Sequence, residues 1–108
     1  MTITDPVGPI LQSGEVARAV AQAAEIDNAG CRVEVRDRGS YVRIEVEGGQ
    51  CVLRRTTIEA EIGRPFRMSE LELNMSSFVG RIDTGTELVR FYHGEPGDTG
   101  SATEEATA

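Results

Sequence analysis

Three consecutive segments in the middle of the chain, residues 31–36, 41–47 and 50–54, alternate between apolar and polar side chains. Such alternation is typical of a strand with one buried face. We expect the apolar set to face the core: Cys31, Val33, Val35, Val42, Ile44, Val46, Cys51 and Leu53. Turn-forming residues separate the segments, at residues 37–40 and at residues 48–49. The pattern therefore predicts a three-stranded antiparallel meander.

An alanine-rich helix precedes these strands. Val16, Val20 and Ala24 recur at helical spacing within residues 14–26. Ser13 can cap the first turn of this helix. Asn28 and Gly30 follow it, and either residue suits the positive φ at which many helices end. We expect this helix to cover one face of the meander.

A capping box of Thr56 and Glu59 predicts a second, short helix that ends at Ile62. Gly63 tolerates a left-handed cap conformation, and Pro65 cannot continue a helix. The chain should therefore change direction at this point.

A second capping box, Ser69 and Glu72, predicts a third helix. Met68 and Leu73 flank its start at the spacing of a hydrophobic staple. The apolar positions of residues 70–75 also alternate with period two, so a strand is the alternative here. The capping box favours the helix.

Segments near both ends add to the sheet. Residues 79–83 and 87–92 have the pattern of a hairpin, and residues 7–11 are apolar. Pro9 confines residues 7–11 to an edge strand or an extended arm. The predicted fold class is α+β: a single compact domain with an antiparallel sheet, comprising the meander and a C-terminal hairpin, packed against two or three short helices.

The 108 residues fit one domain. We expect residues 1–6 to form a flexible lead-in, residues 7–93 the folded domain, and residues 94–108 a disordered acidic tail with a solubilising role. A role of the tail in binding is the alternative. Truncation after His93 should leave the fold and the activity nearly intact.

The formal net charge is −7. This balance disfavours nucleic acid and anionic membrane surfaces as partners, because both attract basic proteins. Residues 1–9 lack the features of a signal peptide, and no apolar run is long enough to span a bilayer. We therefore expect a cytoplasmic protein with reduced thiols.

Candidate chemistry is sparse. His93 is the sole histidine, and neither a Cys-x-x-Cys motif nor a glycine-rich phosphate loop is present. Cys31 and Cys51 fit two buried thiols, and a disulfide is open if their strands pair in register. Glu34, Glu45 and other strand carboxylates fall at outward-facing positions, where arginines on neighbouring strands can pair with them. These observations favour no catalytic, cofactor-binding or metal-binding residue.

Several runs resemble one protein family in order and spacing: VGPI at residues 7–10, AEIDNAG at residues 24–30, and GRPF followed by ELE and SFVG within residues 63–80. Together they resemble the effector, or coupling, proteins of bacterial multicomponent soluble diiron monooxygenases. The toluene and alkene monooxygenase types are the most similar. The resemblance extends over about residues 7–92, leaving the tail outside.

The resemblance implies a non-catalytic protein without a cofactor. It would bind the diiron hydroxylase of a system that also contains a reductase and a Rieske-type ferredoxin. There it would tune the rate, coupling and selectivity of the NADH-dependent oxygenation of an aromatic or alkene hydrocarbon. The sequence does not identify the hydrocarbon, since substrate choice belongs to the hydroxylase.

The resemblance also implies that the end of the first helix faces the hydroxylase, which points to Glu25, Asp27 and Asn28. The alternative role for these residues is to cap the helix end. The strand alternation places Tyr41 and Arg43 on the exposed face of the sheet, where they could anchor a partner. Their alternative role is a cross-strand pair on a solvated face.

Two other classes of protein fit the pattern less fully. One is a small enzyme with a carboxylate site. The other is a self-associating or interaction module that uses its edge strands and is unrelated to oxygenases.

Overall fold

A computed structural model describes residues 5–93. The elements in chain order are β1 Gly8–Gln12, α1 Glu15–Asp27, β2 Val33–Asp37, β3 Tyr41–Val46, β4 Gln50–Arg54, α2 Arg55–Ile62, α3 Met68–Asn74, β5 Met75–Val79, β6 Arg81–Asp83 and β7 Leu88–Tyr92. The α+β class is confirmed, and residues 68–74 form a helix. The predicted acidic tail and residues 1–4 of the predicted lead-in lie outside the described residues.

The strands form two antiparallel sheets, in the orders β2-β3-β1-β5 and β4-β7-β6. The pairing of β2 with β3 and the hairpin of β6 with β7 are as predicted. The three-stranded meander is wrong, because β4 leaves the first sheet and pairs with β7. Since β2 and β1 occupy both edges of β3, no position beside β3 is open to β4.

The prediction that Pro9 confines β1 to an edge is also wrong, because β1 lies between β3 and β5. Its ladder with β3 is interrupted between the Val7–Val46 bridge and the Ile10–Arg43 pair. Pro9 lies in this gap, so its missing N–H breaks no ladder bond there. Gly8 adopts a φ of 148°, and a Cβ at Gly8 would overlap the carbonyl oxygen of Ile44. β1 and β3 thus approach each other closely at Gly8 and Pro9.

The core lies between the inner faces of the two sheets and the buried face of α1. Phe78 of β5 and Phe91 of β7 join the sheets, with ring centroids 5.9 Å apart. The largest fully buried side chains include Phe91, Leu11, Ile44, Leu53, Ile58 and Leu71. Phe66 and Met68, in the link between α2 and α3 and at the start of α3, are also buried. Alternation thus identified the inward positions of β3 and β4.

The predicted helix caps are wrong. The residues before the three helices are Gly14, Arg54 and Arg67, and no side chain of theirs caps a backbone N–H. Because α2 and α3 begin before Thr56 and Ser69, these two residues lie inside the first turn. The predicted end of α2 at Ile62 is confirmed, with Gly63 in the left-handed conformation after it. α1 ends at Asp27, and of the two residues expected at positive φ only Gly30 adopts it.

Cys31 does not lie in the core. It precedes β2 in the turn after α1 and is exposed, whereas Cys51 of β4 is buried and both thiols are free. The prediction of two buried thiols is therefore wrong for Cys31. The N–H of Cys31 bonds to the carbonyl of Asn28 at 3.0 Å, which keeps this residue in the turn rather than in the strand.

Candidate docking surface

The residues predicted at the end of α1 form a structural joint. Asn28 is buried, and its amide nitrogen donates to the carbonyls of Ala24 at 2.8 Å and Val52 at 2.9 Å. The backbone N–H of Val52 donates to the Asn28 side-chain oxygen at 2.9 Å. Asn28 therefore caps α1 and closes the outer edge of β4 at the same time.

Asp27 carries out a similar task for α2. Its Oδ2 accepts the backbone N–H of Arg54, the residue before α2, at 2.9 Å. Its Oδ1 accepts the hydroxyl of Thr57 at 2.8 Å. A carboxylate at a helix N-terminus is stabilised by the helix dipole. Asp27 of α1 thus provides the side-chain acceptor at the N-terminus of α2. The capping box had predicted that Thr56 would provide it.

Glu25 is exposed at the same end of α1. Beside it, Ile26 exposes 54% of its surface. Together they offer a carboxylate and an apolar side chain to a partner. Asp27 and Asn28 hold this end of the helix through the bonds described above.

Tyr41 and Arg43 lie on the outer face of the first sheet, as predicted. Tyr41 is 39% exposed. Arg43 donates to Glu45 at 3.0 Å, and Glu45 is also paired with Arg36 of β2 at 3.2 Å. The predicted arginine partner of an outward carboxylate is confirmed at Glu45, although Glu45 itself is buried. Arg43 thus forms an ion pair with Glu45 on the outer face of the sheet.

The structure does not bring the five predicted interface residues together. The N–H of Ser13, before α1, bonds to the carbonyl of Ser40, next to Tyr41. Tyr41 therefore lies near the N-terminal end of α1, and Glu25 lies near its C-terminal end. The thirteen residues of α1 separate these ends by about 20 Å at 1.5 Å per residue. A partner that contacts both groups must span α1.

Sequence reasoning missed Leu73, which is 81% exposed on α3. The predicted contact with Met68 as a hydrophobic staple is wrong, because Met68 is buried while Leu73 points to solvent. Leu73 lies two residues before β5, an edge strand of the first sheet. The signal for it was the two-residue spacing of Leu71 and Leu73, which places them on nearly opposite faces of a helix.

The thiols and carboxylates of the described residues suggest no reactive centre. Burial raises the pKa of the Cys51 thiol to about 12, and the carboxylate of Asp27 adds to this rise. Cys51 is therefore a protonated thiol and a poor nucleophile at neutral pH. Within residues 5–93, no cluster of three or more histidine, cysteine or acidic side chains could hold a metal ion.

An open groove of about 580 Å³ lies between the start of α3 and the β6–β7 turn. Phe66 and Met68 line it, and Arg55 and Glu87, paired at 2.9 Å, lie at its rim. Arg55 and Glu87 neutralise each other at the rim, and the apolar residues Phe66 and Met68 belong to the core. Among the helices of the described part of the chain, none has the length and apolar character needed to cross a bilayer.

Comparison with known proteins identifies relatives over the whole described domain. Residues 5–92 match the model of the MmoB/DmpM family. The effector subunit of the alkene monooxygenase system of Xanthobacter autotrophicus (strain ATCC BAA-1158 / Py2) is 41% identical over 87 residues, which cover 81% of this chain and 85% of the relative.

Solved structures share the fold. The chain matches a structure of the phenol hydroxylase–regulatory protein complex with a TM-score of 0.68 and 24% identity, covering 81% of this chain and 95% of that one. It matches the soluble methane monooxygenase regulatory protein B with a TM-score of 0.62 and 18% identity, covering 96% of this chain and 76% of that one.

Proposed function

Since the chain belongs to the MmoB/DmpM family, we propose that it is the effector subunit of a multicomponent diiron monooxygenase of the alkene type. The observation that carries this proposal is the 41% identity to an alkene monooxygenase effector subunit over nearly the whole folded domain. The protein is a regulatory component and not an enzyme. Its role is to bind the hydroxylase and to tune the rate, coupling and selectivity of oxygenation.

The physical mechanism is a shift of population in the hydroxylase. A partner without a reactive centre can favour one state of the hydroxylase only through a difference in affinity for the two states. A hundredfold difference corresponds to about 2.7 kcal/mol, which is within the usual range of coupling energies. The effector therefore has to present a rigid surface that fits one hydroxylase state better than another.

Leu73 and the edge of β5, which pairs only with β1 among residues 5–93, supply such a surface. A large, exposed apolar side chain can anchor a partner in a pocket, and an unpaired strand edge offers backbone donors and acceptors beside it. We assign the direct contacts to Leu73 and the β5 edge, together with Glu25, Tyr41 and Arg43. Asp27 and Asn28 act by holding the end of α1 in place.

The other components of the system are a reductase and a Rieske-type ferredoxin, which deliver electrons from NADH to the hydroxylase. The protein works in the cytoplasm, where both of its thiols remain reduced. The substrate is a small alkene. An aromatic hydrocarbon is the second candidate, because the fold also matches the regulatory protein in the phenol hydroxylase complex.

Calorimetric titration of the hydroxylase of the same organism tests the mechanism. We take the favoured state to be the one that accompanies reduction of the diiron centre, so the chain should bind the oxidised and the diferrous hydroxylase with affinities that differ by on the order of a hundredfold. The effector subunit of Xanthobacter autotrophicus Py2, titrated into its own hydroxylase, is the matched positive control. Equal affinity for both states would rule out this mechanism, and no binding would rule out the proposed function.

A further inference from the structure

Within the described part of the chain, one side of β2 has backbone hydrogen-bonding groups without a strand partner. β2 is an edge strand of the first sheet and pairs only with β3 among residues 5–93. The bonds from Glu47 N–H to Arg32 O and from Arg38 N–H to Tyr41 O show that even-numbered residues face β3. In an antiparallel ladder the bonding direction alternates, so the N–H and C=O groups of Val33, Val35 and Asp37 point away from the sheet.

The side chains of β2 are self-complementary about Val35. If a second copy pairs antiparallel with Val35 opposite Val35, then Glu34 of each copy lies opposite Arg36 of the other. Opposite charges at directly opposed positions stabilise a sheet. The same register aligns the free backbone groups of Val33 with those of Asp37, giving about six hydrogen bonds across the two edges.

We propose that β2 pairs with β2 of a second copy of this chain, centred on Val35, to form a reversible homodimer with one continuous eight-stranded sheet. Other registers are less favourable. Centring the pair on Glu34 or Arg36 would place like charges opposite each other. Val35 is 39% exposed in the single chain, and the pairing brings the two Val35 side chains into contact.

The other edges of the described sheets offer less. β6, Arg81–Asp83, also has opposite charges on either side of its centre, but its three residues allow fewer backbone bonds than the five of β2. Asn28 occupies the outer edge of β4 through both polar groups of Val52. The β5 sequence, MSSFV, carries no charge that could set a register. β2 thus combines a five-residue edge with opposite charges on either side of Val35. Within one chain Arg36 already pairs with Glu34 at 2.9 Å, and the dimer adds the Glu34 of the second copy to this pair.

The dimer leaves Leu73 and the β5 edge open, so it does not depend on the proposed function. Pairing along one short edge buries less than about 1,200 Å², which is typical of weak association. We therefore expect a dissociation constant between micromolar and millimolar.

Disulfide trapping tests the register. Cys31→Ser is the background, because Cys31 is the exposed thiol. Val35→Cys should cross-link to its counterpart under mild oxidation, since Cα atoms in a bonded antiparallel pair lie about 5.5 Å apart, within disulfide range. Val33→Cys is the matched control on the same strand. Its counterpart would lie about 14 Å away, so it should remain monomeric. Ser77→Cys, on β5, tests the alternative pairing of two β5 edges and should not cross-link if β2 is the interface.

Sedimentation of the natural sequence over a concentration series supplies a second measurement. Val35→Pro removes an N–H that points away from β3, so the fold should survive while the dissociation constant rises by on the order of tenfold or more. Equal cross-linking of Val33→Cys and Val35→Cys, preferential cross-linking of Ser77→Cys, or a monomer at millimolar concentration would each overturn the proposal.

Discussion

Asn28 and Val52 are joined by a pair of hydrogen bonds, each 2.9 Å long, between the side-chain amide of one and the backbone of the other. The same amide bonds to Ala24 within α1 at 2.8 Å. An asparagine side chain thus takes the place of a neighbouring strand along β4. The joint fixes the end of α1 against the second sheet and holds Glu25 and Ile26 in position.

Replacing Asn28 by alanine should lower the free energy of unfolding by about 2 kcal/mol, because the buried polar groups of Val52 and Ala24 lose their partner. Urea denaturation measures this change. Glu25→Ala, at an exposed position of the same helix end, should stay within about 0.5 kcal/mol of the natural sequence. Unchanged stability of Asn28→Ala combined with lower activity per folded molecule would instead favour a direct contact with the hydroxylase.

Gly8→Ala should destabilise the fold by more than about 3 kcal/mol, because the new Cβ meets the carbonyl of Ile44 in a strand that is paired on both sides. Gly39→Ala is the control. Gly39 also has a positive φ, of 89°, but no atom lies within 4 Å of its Cβ position. It should lose only about 1 kcal/mol, the cost of the left-handed conformation. Equal losses at the two glycines, measured by thermal unfolding, would contradict the close approach of β1 and β3.

Stability should fall in acid partly through Glu70. Arg64, which donates to Glu70 at 2.6 Å, lowers the pKa of that carboxyl below its ordinary value of 4.5. A lowered pKa in the folded state means that the stabilising contribution is present above about pH 4.5 and is lost as the pH falls through the folded-state value. Arg64 also bonds to Glu15 at 3.2 Å, so the same arginine ties α3 to α1.

The free energy of unfolding should therefore decline more steeply between about pH 5 and pH 3 in the natural sequence than in Glu70→Gln. Because the pair is partly exposed, added salt should reduce the difference. Glu72→Gln, at an exposed position on the same helix, is the control and should follow the natural sequence. Parallel pH profiles for the natural sequence and Glu70→Gln would show that the ion pair contributes nothing.

Leu73→Asp should weaken binding to the hydroxylase by on the order of tenfold or more and leave the unfolding free energy within about 0.5 kcal/mol. The side chain is exposed, so its removal creates no cavity. Ala60→Asp adds the same charge at an exposed position of α2 and should change neither quantity. If both variants bind equally well, Leu73 is not part of the docking surface.

Alternation and helical spacing predicted the helices, most strands and the inward residues of β3 and β4. They did not predict strand partners. Period two shows which face of a strand is buried, but it does not show whether β4 pairs with β3 or with β7. Pro9 predicted an edge strand. It lies instead inside the sheet, because the ladder between β1 and β3 is interrupted at Pro9 and needs no N–H from it there.

The candidate site was predicted in part. Local patterns suggested a cap at Asn28 and exposed positions at Tyr41 and Arg43. They could not show that Asn28 bonds to Val52, because that contact joins residues 24 positions apart. Leu73 was assigned to a staple because the helix was expected to begin at Ser69. It begins at Met68, and Leu73 points to solvent as a result.

The yield of oxidised product per NADH is the most direct test of the effector assignment. The chain is titrated into a fixed mixture of the hydroxylase, reductase and ferredoxin of the same organism, with the isolated chain assayed alongside. We expect the yield to rise and to saturate once the hydroxylase sites are occupied, and we expect the isolated chain to turn over no substrate. An unchanged yield at stoichiometric effector, or turnover by the isolated chain, would contradict the effector assignment.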